Sequence, residues 1–338
     1  MKNLRKYLGL ILFLFLAGIM NSCMKDDLSK ADSEDTATVT LHINDSRSGE
    51  TSPVEVGEGI KTLRVIVLDA DNKVEFNYKQ SFGNETDPLT EKTVTFLGMT
   101  TGIKKFYVVA NEESLGLTGT DYPAKGTTTD PNNLLNKVIT DAGRSHFPKL
   151  KGDITSLPVT GYKEVPITAD TKNIPIETYH AVAKIVFKVK NTSSEDITLT
   201  GFSLGEFFAD WTYLFPSVSV IEHLDVNYAA FDRRNDVSGT FTAGAEATEY
   251  FTCYLYETPE DKKSDFKVTL FTNNQDLDLP EATINLNEAT DYVVKRNTVI
   301  NIVATISKEA TVTTPVKVTL NWQVSSWNPV TNNVPSFN

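Results

Sequence analysis

Apolar and polar residues alternate with a period of two over much of this chain. Ala37, Val39, Leu41 and Ile43 are apolar, with Thr38, Thr40 and His42 between them, the pattern of a strand with one buried face. Val316, Val318, Leu320, Trp322 and Val324 repeat it near the other end, against Lys317, Thr319, Asn321 and Gln323. Leu63–Leu68 and Lys105–Ala110 are more continuously apolar, which predicts strands buried on both faces. Further strands are predicted over Val74–Tyr78, Lys92–Leu97, His180–Val189, Ile197–Leu204, Glu249–Tyr256, Phe266–Thr272, Val293–Ile306 and Pro315–Val324. Polar clusters at Asp69–Lys73 and Asn191–Asp196 predict turns. The stretch 115–148 is the least strand-like, and a short helix beginning at Asp130 is predicted over 131–140. Many short strands with little helical periodicity imply an all-β chain of two β-sandwich-like domains with few short helices. Lys172–Glu177, with Pro175, reads as the seam, giving an N-terminal domain over 36–175 and a C-terminal domain over 176–338.

The first residues follow another grammar. Lys2, Arg5 and Lys6 precede the uncharged, Leu-, Ile- and Phe-rich run Leu8–Met20. That run is short for a bilayer span, which needs about 20 residues, and fits the apolar region of a signal peptide. Residues 1–22 therefore read as a lipoprotein signal peptide. Cys23, directly behind it, supplies the thiol that a diacylglycerol thioether needs, so Cys23 reads as the lipidated first residue of the mature chain, with palmitate among its acyl groups. Met24–Asp35 is a polar tether. Its Lys25-Asp26-Asp27 resembles the signal that sends lipoproteins of Bacteroidetes to the outer face of the outer membrane. Several acyl chains anchor firmly, and no second long apolar run offers another anchor.

Charge and cysteine count narrow the function further. The formal net charge is −12, and loss of the signal's three basic residues leaves about −15. This argues against nucleic acid and anionic membrane surfaces as partners. Apart from Cys23 the chain has one cysteine, Cys253, set among Tyr250, Phe251, Tyr254, Leu255 and Tyr256. It reads as a buried structural thiol, and an acylated Cys23 leaves it no intrachain partner. Signs of catalysis are lacking. His42, His146, His180 and His223 are scattered, without zinc-ligand spacing, and no Gly-x-Ser-x-Gly, P-loop or Gly-x-Gly-x-x-Gly occurs. Asp69-Ala70-Asp71-Asn72 only begins like a calcium loop and reads as a hairpin turn. Glu112-Glu113 suits a solvated loop. Trp211, Tyr213 and Phe215 alternate and read as strand packing rather than a sugar platform. No enzyme, metal or cofactor is expected.

The two amphipathic strands are the most informative feature left. A loop over 44–59 separates the first from its domain. It contains Arg47 in Asp45-Ser46-Arg47-Ser48-Gly49-Glu50, open to a trypsin-like protease. On pattern alone these are an edge strand, a C-terminal strand and a surface arginine. Together with other segments they resemble a known family. Ala37-Thr38-Val39-Thr40-Leu41, Ile60–Val67, Phe106-Tyr107-Val108-Val109-Ala110-Asn111, Tyr179–Lys184, Lys295-Arg296-Asn297-Thr298 and Trp327 are similar, in order and spacing, to segments of the FimA-type fimbrillins, the subunits of type V pili of Bacteroidetes.

The resemblance implies a mechanism. Such subunits reach the cell surface as lipoproteins of the outer membrane. A protease of arginine specificity cuts behind the first strand, and the C-terminal segment of another subunit fills the vacated groove. By position the scissile bond here is Arg47–Ser48 and the displaced strand carries Ala37, Val39, Leu41 and Ile43. The donor strand carries Val316, Val318, Leu320, Trp322 and Val324. Partners would be other fimbrial subunits, the maturation protease and the outer membrane. An anchor or tip subunit, and a surface lipoprotein that binds glycan or protein, are the alternatives.

Overall fold

The computed structural model describes residues 35–45, 57–82, 91–135, 138–140, 147–209, 211–215, 228–257, 267–272, 281–285, 294–307 and 317–326. Contacts divide the chain into Met1–Asp35 and Thr36–Asn338, and the described structure belongs almost wholly to the second unit. Its elements are overwhelmingly strands, as the alternating patterns predict.

The first sheet has seven strands in the order β3-β2-β5-β8-β9-β1-β4. They are β1 (Thr36–Asp45), β2 (Thr62–Leu68), β3 (Val74–Ser81), β4 (Glu91–Thr100), β5 (Gly102–Ala110), β8 (Val159–Ile167) and β9 (Asn173–His180). The sheet bends at β8 and β9, which pair only through Val159 with His180 and Thr160 with Tyr179. Gly161 permits the bend: a Cβ there would lie 2.5 Å from the Glu177 carbonyl oxygen. Beyond it the strands part, and Lys163 Nζ reaches across to the Pro175 carbonyl at 2.7 Å. The two end strands consequently meet, with the Phe76 and Phe96 rings 4.8 Å apart. Folded over in this way, the sheet encloses one core, with Leu41 and Ile43 of β1 against Val65, Val67, Phe106, Val108, Ile174 and Ile176. The apolar runs of β2 and β5 are buried on both faces. Their other side (Ile66, Leu68, Tyr107, Val109) joins a second core containing Val182, Phe215, Tyr254, Tyr256 and Val299.

Two facing sheets form a second sandwich. One has the order β19-β18-β10-β15-β7 and the other β13-β11-β16-β17. The first contains β7 (Lys149–Leu150), β10 (Ala183–Asn191), β15 (Thr248–Leu255), β18 (Thr298–Ser307) and β19 (Lys317–Ser326). The second contains β11 (Ile197–Ala209), β13 (Tyr228–Asp232), β16 (Lys267–Thr272) and β17 (Glu281–Asn285), with β14 (Gly239–Phe241) beside β11. Stacked rings join the layers: Phe251 lies 5.0 Å from Phe187 and 3.6 Å from Phe202. A short pair, β6 (Val138–Thr140) with β12 (Trp211–Tyr213), and one α-helix, α1 (Pro131–Leu135), complete the described elements, together with three 3₁₀ turns.

Several expectations change. His180–Val189 is not one strand: β9 ends at His180, and β10 starts at Ala183 in a different sheet. Lys172–Glu177 is not a connector, because Asn173–His180 is β9 itself. Helix α1 stops at Leu135, and Val138–Thr140 is a strand. Val293–Ile306 becomes a strand only from Thr298. Glu112 does not lie in a solvated loop. It is 1 % exposed and accepts hydrogen bonds from Arg64 Nε at 2.6 Å and Nη2 at 2.8 Å.

Candidate assembly strands

Strand β1 is an interior strand rather than an edge. On one side it runs parallel to β9, from Thr40 beside Asn173 to Asp45 beside Thr178. On the other it runs antiparallel to β4, from Thr36 beside Thr100 to Asn44 beside Glu91. A bulge between Ala37 and Val39 shifts the β4 register, and Gly98 sits near it at φ 68°, a left-handed angle that glycine takes without strain. Both walls hold β1 by backbone: Thr40 N–H donates to the Lys172 carbonyl at 2.7 Å. Its polar face adds two contacts, Thr40 Oγ1 with Thr95 Oγ1 at 3.0 Å and His42 Nε2 with Asn173 Oδ1 at 3.2 Å.

The apolar face is where β1 is held most strongly. Val39, Leu41 and Ile43 are wholly buried and Ala37 is 4 % exposed. Burying the three large side chains stabilises the fold by roughly 1.5–3 kcal/mol each. A ladder bond adds only about 1 kcal/mol net. The period-two pattern thus describes a strand seated in a slot with an apolar floor, between walls β9 and β4. The wall β9 was not among the predicted strands, although its buried Ile174 and Ile176 alternate with the exposed Asn173, Pro175 and Glu177.

Near the other end, β19 carries Val318, Leu320, Trp322 and Val324. It pairs antiparallel with β18 over its whole length, Lys317 beside Ser307 and Ser326 beside Thr298. It is the terminal strand of its sheet in the observed order. Cys23, Arg47, Ser48 and Val316 lie outside the described residues.

The other candidates resolve as structural groups. Cys253 is a free thiol with no exposure, and burial pushes its pKa up. Asp69 Oδ1 accepts from the Asp71 and Lys73 N–H groups at 3.0 and 2.9 Å, which closes the β2–β3 hairpin turn. Tyr213 and Phe215 are buried in the core, and Trp211 is half-buried with its ring 5.4 Å from Tyr213. Among the described residues no three His, Cys, Asp or Glu side chains are grouped to hold a metal. His42 contacts Asn173, His180 is buried, and His146 and His223 lie outside the described residues.

Two asparagines carry fold-defining contacts that the pattern of apolar residues does not reveal. Asn111 and Asn297 both have a φ of 55°, a region where asparagine is among the tolerated side chains. Asn111 Oδ1 accepts from the Lys61 and Thr62 N–H groups at 2.8 and 3.2 Å. Its Nδ2 donates to the Gly59 and Leu157 carbonyls at 3.0 and 2.7 Å. Beside Asn297, the buried Arg296 donates to Thr212 Oγ1 at 2.8 Å, the Tyr213 carbonyl at 3.0 Å and Glu257 Oε1 from Nε at 2.8 Å.

These features define an all-β protein of two sandwiches, with its first strand seated between parallel and antiparallel neighbours. A family described as Major fimbrial subunit protein (FimA) matches residues 37–148, the span from the second residue of β1 through β6. The resemblance to FimA-type fimbrillins therefore holds in a family match over this span. Solved structures share the fold. The tip fimbrial protein Mfa3 of Porphyromonas gingivalis superposes with a TM-score of 0.55 at 13 % identity, covering 86 % of this chain and 100 % of that one. The fimbrilin (fimA) of Porphyromonas gingivalis W83 gives 0.52 at 12 %, covering 87 % and 98 %. A fimbrial assembly protein of Parabacteroides distasonis gives 0.51 at 13 %, covering 86 % and 96 %. No curated protein matches the sequence.

Proposed function

We propose that this protein is a structural subunit of a cell-surface fimbrium, serving adhesion. In this reading it is exported as a lipoprotein through Cys23 and cut between Arg47 and Ser48. It then polymerises when the β19 segment of one copy replaces β1 of the next. The observation that carries the reading is the seating of β1: an interior strand, joined to the rest by the segment containing Arg47, with its apolar face buried in a slot. A cut at Arg47 converts β1 from part of the chain into a separate peptide, so a strand of like pattern can replace it. Ala37, Val39, Leu41 and Ile43 leave four apolar positions on one face, and Val318, Leu320, Trp322 and Val324 offer four at the same spacing. Strand addition supplies backbone bonds and side-chain pockets together, and a head-to-tail contact that does not close makes a filament.

The test is to treat the purified full chain with an arginine-specific protease and follow polymers by gel and electron microscopy. Polymers are expected from the parent, and Arg47→Ala should remain monomeric and folded. If Arg47→Ala polymerises equally well, the strand-exchange reading fails. The similarity to a tip fimbrial protein favours one second reading, a terminal subunit of the same fibre. Capping of polymers without growth, when the chain is added to a separate fimbrial subunit, would select it.

A further inference from the structure

Strand β4 has an exposed position in the exchange just proposed, and the inference here rests on that reading. Among the described residues its ladder partner is β1 alone. When β1 departs, β4 loses those backbone bonds and would be free to leave as well. The slot would then have one wall, and an incoming strand would have to reassemble the other.

Side chains of β3, and of Phe82 directly behind it, hold β4 by a separate route. The two strands lie face to face across the folded sheet without sharing a ladder, and they touch at three levels. At one end Lys92 Nζ lies 4.6 Å over the Phe82 ring. In the middle Phe96 packs on Phe76 at 4.8 Å and on Tyr78 at 6.0 Å. At the far end the Thr100 N–H donates to Glu75 Oε1 at 2.6 Å, and Glu75 Oε2 pairs with Lys104 Nζ at 2.7 Å. Lys104 also donates to Thr100 Oγ1. The Lys104 and Glu75 side chains are 2 % and 14 % exposed, so solvent screens this pair little. Lys104 lies on β5 just past the turn that leaves β4. The Glu75 carboxylate thus ties the β4–β5 corner to β3, and none of these contacts involves β1.

We propose that Glu75 is a positioning residue: with Thr100 and Lys104 it pins β4 to β3, so that β4 stays in place as the outer wall of the slot while β1 is absent. The slot is then preorganised for its next occupant, and exchange does not pay for reordering a second strand.

The experiment uses the uncut full chain, so it does not depend on cleavage at Arg47. Leu41→Asp puts a carboxylate on β1 against the apolar floor of the slot and expels β1, followed by hydrogen exchange over 36–45. Chymotrypsin cutting after Phe96, read by mass spectrometry, reports whether β4 has come loose. With Leu41→Asp alone, β1 should exchange at least about tenfold faster while the Phe96 bond stays resistant. Adding Glu75→Ala should speed that cut about tenfold, and Glu75→Gln, which keeps an acceptor for Thr100, should speed it less. Glu75→Ala with β1 in place should stay resistant. Where Leu41→Asp unfolds the whole sheet, Leu41→Ala carries the same comparison. Equal cutting with and without Glu75→Ala in the β1-loosened chain overturns the proposal. Failure of the strand-exchange reading shows elsewhere, as polymerisation of Arg47→Ala.

Discussion

Glu58 and Lys184, 126 residues apart in sequence, form a buried ion pair of 2.9 Å. The Tyr254 hydroxyl donates to the same Glu58 Oε1 at 3.0 Å. The contact joins the segment before β2 to β10 and β15, so it ties the two sandwiches together.

Removing one partner should destabilise far more than removing both. The Glu58 and Lys184 side chains are 4 % and 11 % exposed, and an unpaired charge left there costs about 3–5 kcal/mol. Lys184→Met is expected to lose that much in chemical denaturation, and Glu58→Gln with Lys184→Met to recover most of it. A loss under about 1 kcal/mol for Lys184→Met, the scale of an exposed pair, would contradict the assignment.

A second prediction concerns acid. Burial alone pushes the Glu112 carboxyl up, but hydrogen bonds from Arg64 and Lys79 outweigh it and hold Glu112 below the usual carboxylate range. Glu113 is likewise held low against burial, by Lys79 and Thr62. A depressed folded pKa gives stability that is present above the unfolded value, about 4.3 for Glu. It is lost as pH falls through the folded value. Stability should therefore decline below about pH 4.3, and Glu112→Gln should show a shallower decline there at a lower starting stability. Parallel pH profiles for parent and variant would contradict this.

The Cys253 prediction follows from geometry and charge together. The thiol has no exposure, lies beside Ile185 on β10 and Leu150 on β7 in the ladder, and has its pKa raised by burial. Since only the thiolate reacts, alkylation of the native protein should run at the rate of global unfolding and accelerate in denaturant. Rapid native labelling would place Cys253 at the surface. Cys253→Ser should destabilise more than Cys253→Ala, because the buried hydroxyl lacks an assured acceptor.

Much of this was legible in the sequence, and the exceptions share a cause. Period two located β1 and β19, and continuous apolar runs located β2 and β5, because those patterns are set by which face is buried. The corner at Ala181–Val182 was not legible. No glycine or proline marks it, and both residues are as buried as a strand interior. What turns the chain there is Asn297, distant in sequence. The fate of Glu112 was hidden in the same way, since its partner Arg64 is 48 residues away. Pro175 concealed β9, although the neighbouring strand β8 has already drawn apart there and the Lys163 side chain reaches the Pro175 carbonyl.

The corner itself supplies the last prediction. Asn297 Oδ1 accepts the His180 N–H at 3.2 Å, and the Asn297 N–H donates to the Val182 carbonyl at 2.9 Å. One residue thereby satisfies the chain on both sides of the switch from β9 to β10. Its φ is 55°, so two costs are separable by substitution. Asn297→Gly keeps the backbone conformation and removes the side-chain acceptor, leaving a buried N–H unpaired at about 1–3 kcal/mol. Asn297→Ala removes the acceptor and also forces a Cβ into the left-handed region, adding about 1–2 kcal/mol. The expected order of stability is parent, then Gly, then Ala, by denaturant midpoints at constant slope. Gly equal to parent would mean the His180 bond contributes nothing, and Ala equal to Gly would mean the backbone angle does not constrain the site. Hydrogen exchange adds a functional reading. Since β9 is the parallel neighbour of β1, loosening its end at His180 should speed exchange in Ile174–Thr178 before it reaches β15. Uniform acceleration across both sandwiches would instead show that the corner melts only with the whole fold.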